Sequence, residues 1–557
     1  TSISRNRDSI QAVQELLSEV MEQHDEQKQS SPEQRIAFLF VDQSHIDSFE
    51  EIVHIAYNTL NDNGEDNVQL LSLVGGGVVG GGIEADGGLL SGSNSIPAMT
   101  MLHGTLPGNG TANAKGFYVS DDDPASWIDL VLQQDDEDVA VTSDGVNDSN
   151  SNDDDDGEIG RKPSYILFAD PWARIIEILE GLDESNYDNF IDDDYEDYDP
   201  SSRRRKSACS AVVAGGISCP TTSSEQSTVA LNGRALPGGS AVGIRFTGSV
   251  GLQAIVAQGC RPVGPTFTVS SVSKGGNVIA ELNGEPALHL LASVAQEASM
   301  EDRALIQKGG LLCGVSASGR TTDDEDDDDD DDDALKRQQQ QHPQDFLIRQ
   351  IIALQPPSYQ TSPDDAPSTG GIVIGGGQVR RGDKFRFHVR DAKAARDDMN
   401  VMVQRANTER LFAGSQRAGG TPIAALQISC VARGQALFGE PNVDFGQVSK
   451  LLDSSSSLED DHEKPISSSV HPIAGFFANG EIGPVGLAGF ASSLSLAADY
   501  VPQKTYIHGF TTVVALICEF NNATSSSSLS STWENDLSGP DEETSFFNDT
   551  IEGGAWG

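Results

Sequence analysis

The feature that most constrains this chain is a pattern met three times along it. Ile36-Ala-Phe-Leu-Phe-Val41 is a short, almost wholly apolar run of buried-strand type. A helix follows, opened by a Ser48-x-x-Glu51 capping box with apolar positions at 52, 55, 56 and 60. The chain returns as Leu70-Leu-Ser-Leu-Val74 and enters the glycine run Gly75 to Gly82. The second pass starts at Tyr165-Ile-Leu-Phe-Ala169. Asp170 and Pro171 suit the N-cap and first position of a helix with apolar residues at 175, 178, 179 and 182. After an acidic insertion, Ala211-Val-Val-Ala214 runs into Gly215 and Gly216. The third pass begins at Ala424-Ala-Leu-Gln-Ile428, carries a weaker helix around Val443 to Leu452, and closes on Ile473 to Gly480. These read as related strand–helix–strand units of a duplicated architecture, with convergence on common βαβ chemistry as the alternative.

Between the passes lie signals of antiparallel pairing. Ala241 to Phe246, a turn at Gly248, and Gly251 to Ala257 read as a hairpin, and so do Ile372 to Ile374 and Lys384 to Val389. Asp391 then caps a helix whose apolar face is Ala395, Met399 and Met402. The resulting expectation is an α+β fold, with α/β-like βαβ units plus antiparallel hairpins in mixed sheets flanked by helices. Ahead of it, Ile10 to Met21 reads as one further helix.

Composition enters because the charge is placed unevenly. The formal net charge is −49, yet 120–158, 183–199, 323–333, 453–463 and 533–552 hold 47 of the 85 acidic residues and no Lys or Arg. The rest of the chain is therefore close to neutral. Residues 135–158, 183–206, 316–343, 355–369, 453–469 and 521–557 are rich in Asp, Ser, Gln, Asn or Pro. They read as disordered insertions and a tail, since they offer too little apolar surface to offset chain entropy. The acidity disfavours nucleic acid as a partner. Eight consecutive acids, Asp326 to Asp333, lack the loop pattern of a specific calcium site. The six cysteines form no C-x-x-C pair and lie in apolar surroundings, as reduced buried thiols of an intracellular protein would. No run of 18 apolar residues suggests a membrane span. The chain starts at Thr1 without Met, so a removed targeting peptide or a missing N-terminal domain stays open.

The candidate site centres on His471 to Gly486, a strand from Ile473 to Phe477 running into a turn of Asn479, Gly480, Gly483 and Pro484. Glu481 sits in that turn, either as a site residue or as a turn residue bonded to its own backbone. This stretch resembles the signature near the end of the FIST family (F-box and intracellular signal transduction proteins). Further similar stretches follow the family order: Gln258 to Pro265, Glu281 to Leu288, Asp345 to Arg349, Phe387 to Ala392 and Ser429 to Gly434. The resemblance covers roughly residues 36 to 520. It implies an N-terminal extension (1–35), a FIST N-terminal domain (36–265), a FIST C-terminal domain (266–520) and an acidic tail (521–557). It also implies a sensory module that binds a small molecule such as an amino acid, and not an enzyme.

The polar residues of these motifs fit that implication. Arg261, Arg349, Arg390 and Arg433 offer planar cationic forks for a carboxylate, while Asp391, Glu481 and Asn479 suit an ammonium group. The expected site residues are Glu481, Asn479, Gly480, Arg433, Cys430, Arg390, Asp391, Arg261, Cys260, Gly215 and Gly216, with Glu481, Asn479, Arg433 and at least one of Arg261 or Arg390 converging on one concave site between the two halves. The alternative is that the arginines and acids pair to hold the two halves together. Cys260 and Cys430 lie near arginines, which favours a reactive thiol, but the usual fate of free cysteine is structural burial. No catalytic constellation is evident, and Gly75 to Gly82 lacks the Lys-Ser/Thr of a phosphate loop. No cofactor is expected. Heme, implied by some bacterial relatives, is a minor alternative that would draw on His45, His54, His289, His388 or His471. A second alternative is a ubiquitin-ligase substrate adaptor with a signalling protein as partner, although residues 1–35 are too short for an F-box. The expected location is the cytoplasm, with an organelle such as a plastid also open.

Overall fold

Each of the three apolar passes forms a pair of parallel strands bridged by a helix, because a strand buried on both faces needs a crossover to return beside itself. The computed structural model describes residues 1–25, 34–61, 68–86, 97–107, 111–123, 126, 163–184, 211–273, 275–316, 346–356, 370–377, 379–413, 420–453, 472–490 and 504–520. The first repeat comprises β1 (Ser2–Ser4), α1 (Ser9–Asp25), β2 (Arg35–Asp42), α2 (Phe49–Asn61), β3 (Val68–Gly75), β4 (Gly77–Gly80), β5 (Ile83–Asp86) and β6 (Met99–Thr105). The second comprises β7 (Asn113–Val119), β8 (Ser164–Ala169), α3 (Ile175–Glu184), β9 (Val213–Ile217), β10 (Val229–Leu231), β11 (Arg234–Ala235) and β12 (Ala241–Thr247).

The third repeat starts with β13 (Val250–Gln258) and is interrupted by an antiparallel barrel. The barrel holds β14 (Cys260–Val272), β15 (Val278–Leu282), β16 (Glu285–Pro286), α4 (Ala287–Glu297), α5 (Met300–Leu305), β17 (Leu311–Ser316), β18 (Phe346–Gln355), β19 (Gly371–Ile374) and β20 (Lys384–Arg390). The repeat resumes with α6 (Ala392–Ala413), β21 (Thr421–Cys430), α7 (Gln435–Phe438), α8 (Val443–Asp453), β22 (Ile473–Ala478), β23 (Gly480–Gly483), β24 (Leu487–Ala488), β25 (Tyr506–His508) and β26 (Thr511–Glu519).

The parallel pairs β2–β3, β8–β9 and β21–β22 form the middles of three mixed sheets with the same plan. Their strand orders are β1-β6-β2-β3-β10-β11, β7-β12-β8-β9-β23-β25 and β13-β26-β21-β22-β4-β5, with β24 added beside β13 in the last. No repeat completes its own sheet. β4 leaves the first sheet to pair antiparallel with β22, β23 leaves the third to pair with β9, and β10 leaves the second to pair with β3. One backbone hydrogen bond marks each crossing: Gly76 N–H to Phe477 O at 2.8 Å, Asn479 N–H to Ile217 O at 3.0 Å and Cys219 N–H to Val74 O at 2.9 Å. The architecture is therefore triplicated where a duplication was expected.

The three sheets enclose one core, where Phe40 of the first repeat, Phe168 of the second and Phe476 of the third meet with ring centroids 5.5–5.7 Å apart. Phe476 is wholly buried, as the apolar return Ile473 to Phe477 predicts. Glycine makes room for it on both sides. A Cβ on Gly75 would lie 2.8 Å from Phe476 Cβ, and one on Gly216 would lie 3.0 Å from its Cζ. Gly215 packs against the β8 backbone, where a Cβ would fall 1.8 Å from Leu167 O. Gly215 and Gly216, expected at a ligand site, are core-packing positions.

Other expectations change for identifiable reasons. β12 and β13 are not a hairpin: β12 pairs with β7 and β8, β13 with β24 and β26, and the Gly248 turn carries the chain from one sheet to another. β19 and β20 are likewise not partners, since β18 and β17 lie between them in the barrel. The helical run after β2 starts before the Ser48 capping box, with the Asp42 side chain accepting from Ser44 N–H at the head of a 3₁₀ turn. Asp170 accepts from Trp172 N–H and Gly239 N–H and stands several residues ahead of α3. Asp391 does cap α6, accepting from Lys393 and Ala394 N–H, and Ala395, Met399 and Met402 are fully buried. The acidic runs at 135–158, 323–333 and 521–557 lie outside the described residues, as does His471. No helix among the described residues is long and apolar enough to cross a membrane.

Candidate functional site

The carboxyl ends of β21 and β22 are where an α/β unit leaves a crevice, because the chain turns away from the sheet there. Cys430 ends β21, and Arg433 follows in a tight turn that closes with Arg433 N–H to Cys430 O at 2.8 Å. Gly434, at φ 60° and ψ −148°, then takes a backbone conformation open essentially to glycine alone. This turn sends the Arg433 guanidinium inward, leaving the residue 1% exposed.

Inside, Arg433 grips Asp444 of α8 in a bidentate pair, Nε at 2.8 Å and Nη2 at 2.9 Å. Thr512 Oγ1 donates to the same carboxylate at 2.8 Å. Phe438 lies beneath the guanidinium, its ring centroid 5.5 Å from Cζ. Behind Asp444, Glu84 of β5 accepts from Asn442 N–H and Phe445 N–H, both at 2.9 Å, and from Gln427 Nε2 at 2.8 Å. The first repeat thus caps a helix of the third. Burial, with Asp444 nearby, raises the Glu84 carboxyl to about 7.

Glu481, the second residue of β23, is wholly buried. Its Oε2 accepts from Thr511 Oγ1 at 2.6 Å and Thr511 N–H at 3.2 Å, and the Cys430 thiol lies beside the carboxyl. Burial raises Glu481 to about 8, against the opposing pull of these hydrogen bonds and of Arg433. Burial also pushes the Cys430 and Cys260 thiols far up, so both are protonated. Three buried polar atoms here have no hydrogen-bond partner: Glu481 Oε1, Arg433 Nη1 and Arg390 Nε. Arg390, from the end of β20, donates through Nη2 to Ala432 O. Such orphaned atoms are rare in folded proteins and call for a ligand, a water or an ion.

The repeats provide an internal control. Each exchanged strand sets one residue opposite the position just before the crossing hydrogen bond: Val78 opposite Phe476, Val229 opposite Leu73 and Glu481 opposite Gly216. The first strand of each parallel pair leads to Asp42, Asp170 and Cys430 at equivalent places. The first two repeats therefore carry aspartate and valine where the third carries cysteine and glutamate. Val78 and Val229 join the central core. Glu481 puts an ionisable group where its counterparts are apolar.

The sequence-based site divides accordingly. Glu481, Arg433, Cys430 and Arg390 come together, with Cys260 adjoining at the start of β14. Arg261 is not free for a ligand: its Nε donates to Asp391 at 2.6 Å, and its Nη2 lies 2.5 Å from Asp302 Oδ1 in an ion pair. Burial alone would raise Asp391, but hydrogen bonds from Arg261, Ala394 and Lys393 hold its carboxyl below the usual range. Those two residues are the structural ion pair. Asn479 is exposed, outside the buried cluster, and Gly480 is buried beside Ile217 and Ile507. Arg349 donates to the Ile348 and Ile507 carbonyls. A cavity of about 360 Å³, lined by Arg396, Asn400, Glu440, Asn442, Asp444 and Gln447 among others, reaches the far side of the Arg433–Asp444 pair. Glu481 does not line that cavity. Among the described residues no group of three or more His, Cys, Asp or Glu is placed to hold a metal ion.

Thr511, Asp444, Glu84 and Gln427 were not expected. Glu84 meets α8 across 358 residues of sequence, and no local pattern announces such a partner.

The chain matches the FIST N domain over residues 37–285 and the FIST C domain over residues 287–484; it belongs to the FIST family, whose domains are signal-transduction sensors. It is similar to an uncharacterized protein of Mycobacterium tuberculosis, 32% identical over 262 residues, which are 46% of this chain and 54% of that protein. An uncharacterized protein of Mycobacterium bovis is 31% identical over 262 residues, 46% of this chain and 53% of its own length. The match thus spans about half the length of these curated relatives.

Proposed function

We propose that this chain is a small-molecule receptor for signal transduction, not an enzyme, and that its ligand is a zwitterionic amino acid held between Glu481 and the Arg433–Arg390 pair. The observation that carries this reading is the set of three unpartnered buried polar atoms, one from an acid and two from guanidinium groups. A ligand carboxylate would satisfy Arg433 Nη1 and Arg390 Nε, and its ammonium would satisfy Glu481 Oε1. Each pairing offsets the desolvation of the other. Protonated thiols are poor nucleophiles, which favours a binding role for Cys430 over a covalent one. Free buried cysteines fit a reducing compartment such as the cytoplasm. The occupied state would be read by a signalling protein.

With Glu481 near 8, its carboxyl is mostly protonated at pH 7. An ammonium beside it favours the charged form, so binding expels a proton. Titration calorimetry with the standard amino acids, in two buffers of different ionisation enthalpy, tests this. The expected result is saturable binding of at least one amino acid with proton release. Glu481→Gln should abolish the release and weaken binding by about 1.5–3 kcal/mol, the range for a hydrogen bond to a charged group. Absence of amino-acid binding up to millimolar concentration would refute the reading, as would unchanged affinity in Glu481→Gln.

A further inference from the structure

A site this deeply enclosed needs a part that moves. Resting on the receptor reading above, the geometry points to the barrel as the gate of the site and to Phe510 as the residue that positions it.

The barrel has a core of its own. Pairing of β14 with β15 closes the order β14-β20-β17-β18-β19-β15 on itself. Its interior, with Phe267, Val269, Ile279, Phe385 and Phe387, is a cluster separate from the three-sheet core. It joins the rest of the chain through two adjacent strands, Cys260 opposite Arg390, so Gly259 and Asp391 form a narrow neck. Among the described residues the seam between barrel and sheets is thin. It has hydrogen bonds from Gln258 to Phe346 O, from Arg349 to Ile507 O and from Arg390 to Ala432 O, and the Arg261–Asp391 ion pair braces the neck. Its apolar part among those residues is one small cluster, Cys260, Leu312, Phe346 and Ile348, with Phe510 packed on it. Sparse seams of this kind open at lower free energy than cores do.

Phe510 ties that seam to the site. Its φ of 61° is a left-handed conformation that a bulky side chain rarely adopts, and such outliers persist where surrounding packing enforces them. Its side chain joins the barrel-facing cluster, its N–H faces the Cys430 thiol, and the next residue, Thr511, holds Glu481. Its carbonyl closes on the neck, where a Cβ on Gly259 would lie 2.3 Å from Phe510 O and 3.0 Å from Arg433 Nη1. Swinging the barrel about Gly259 and Asp391 uncovers Arg390, Arg433 and Glu481 together.

The chain carries its own probes. Cys260 and Cys430 are buried along the seam, whereas Cys219 and Cys518 are buried in cores away from it. Alkylation of the full chain under native conditions, read thiol by thiol by peptide mass spectrometry, measures each opening rate. Cys260 and Cys430 should react together, about tenfold or more faster than Cys219 and Cys518, because the seam opens without the cores. Phe510→Ala should raise the two seam rates by about tenfold or more and leave the other two within about twofold. Phe510→Leu, which keeps an apolar side chain, should fall between. One common rate for all four thiols would overturn the proposal, as would a Phe510→Ala effect that is equal on all four or absent. Since this labelling needs no ligand, gated labelling that no amino acid slows would leave the gate standing and overturn the ligand reading alone.

Discussion

Replacing Glu481 by Gln removes a proton-binding group from the centre of the molecule, and the pH dependence of stability should report it. The carboxyl rises from an ordinary 4.5 to about 8, chiefly through burial. Below pH 4.5 it is protonated in both folded and unfolded chains and contributes no slope. Between 4.5 and 8 the unfolded chain ionises while the folded one keeps its proton, so unfolding releases a proton and stability falls as pH rises. Above 8 both states are ionised and the loss levels off. At about 1.4 kcal/mol per pH unit, the wild type should lose about 4 kcal/mol between pH 5 and pH 8 through this residue. Glu84, raised to about 7, adds slope of the same sign, but it does so in both proteins and cancels in the comparison. The assay is urea unfolding of wild type and Glu481→Gln at pH 5, 6, 7 and 8, followed by circular dichroism. The variant should gain on the wild type steadily across that range. Parallel curves would show that Glu481 is ionised in the folded protein and would refute the reasoning.

Phe476→Ala should cost about 3–5 kcal/mol, since it empties the meeting point of three sheets; a midpoint shift in urea under 1 kcal/mol would mean that the site collapses freely. Asp444→Asn should cost about 3–5 kcal/mol by leaving the Arg433 charge buried without a counter-ion, measured in the same way. Asp391→Ala should cost only about 0.5–2 kcal/mol, the loss of a helix cap with its partly exposed Arg261 contact. Deleting Asp323 to Asp333 should leave the calorimetric melting transition nearly unchanged, because closure entropy varies weakly with loop length.

What was legible in the sequence follows the range of the interactions involved. The runs Ile36–Val41, Tyr165–Ala169 and Ala424–Ile428 and their returns announced three strand–helix–strand units, because burial on both faces leaves a continuous apolar signature within a few residues. The sheet exchange left none, since a strand such as β4 looks the same whichever sheet it joins. The two expected hairpins fail for that reason: the strands on either side of Gly248 are adjacent in sequence, but each pairs in a different sheet. Glu481 and Arg433 were readable because each is a charged residue at the end of an apolar run with glycine beside it. Their partners Thr511 and Asp444 are ordinary residues in their own surroundings, and only tertiary placement gives them a role. Arg261 and Asp391 bond each other, as the alternative of arginines pairing with acids allows for the set without naming partners, because which arginine meets which acid is decided only by tertiary placement.

The exchange of strands among the three sheets bears on how this chain can be made. β4 can pair with β5 at once, but its other edge must wait for Phe476 of β22, about 400 residues after Val78. At ribosomal speeds of about 5–20 residues per second, that is an interval of roughly 20–80 s with an unpaired apolar edge exposed to the cell. Neither FIST half, released on its own, could fill that edge. Expression of residues 37–285 alone is therefore a recipe for aggregation, and the nascent chain is a natural client for chaperones until β22 has emerged.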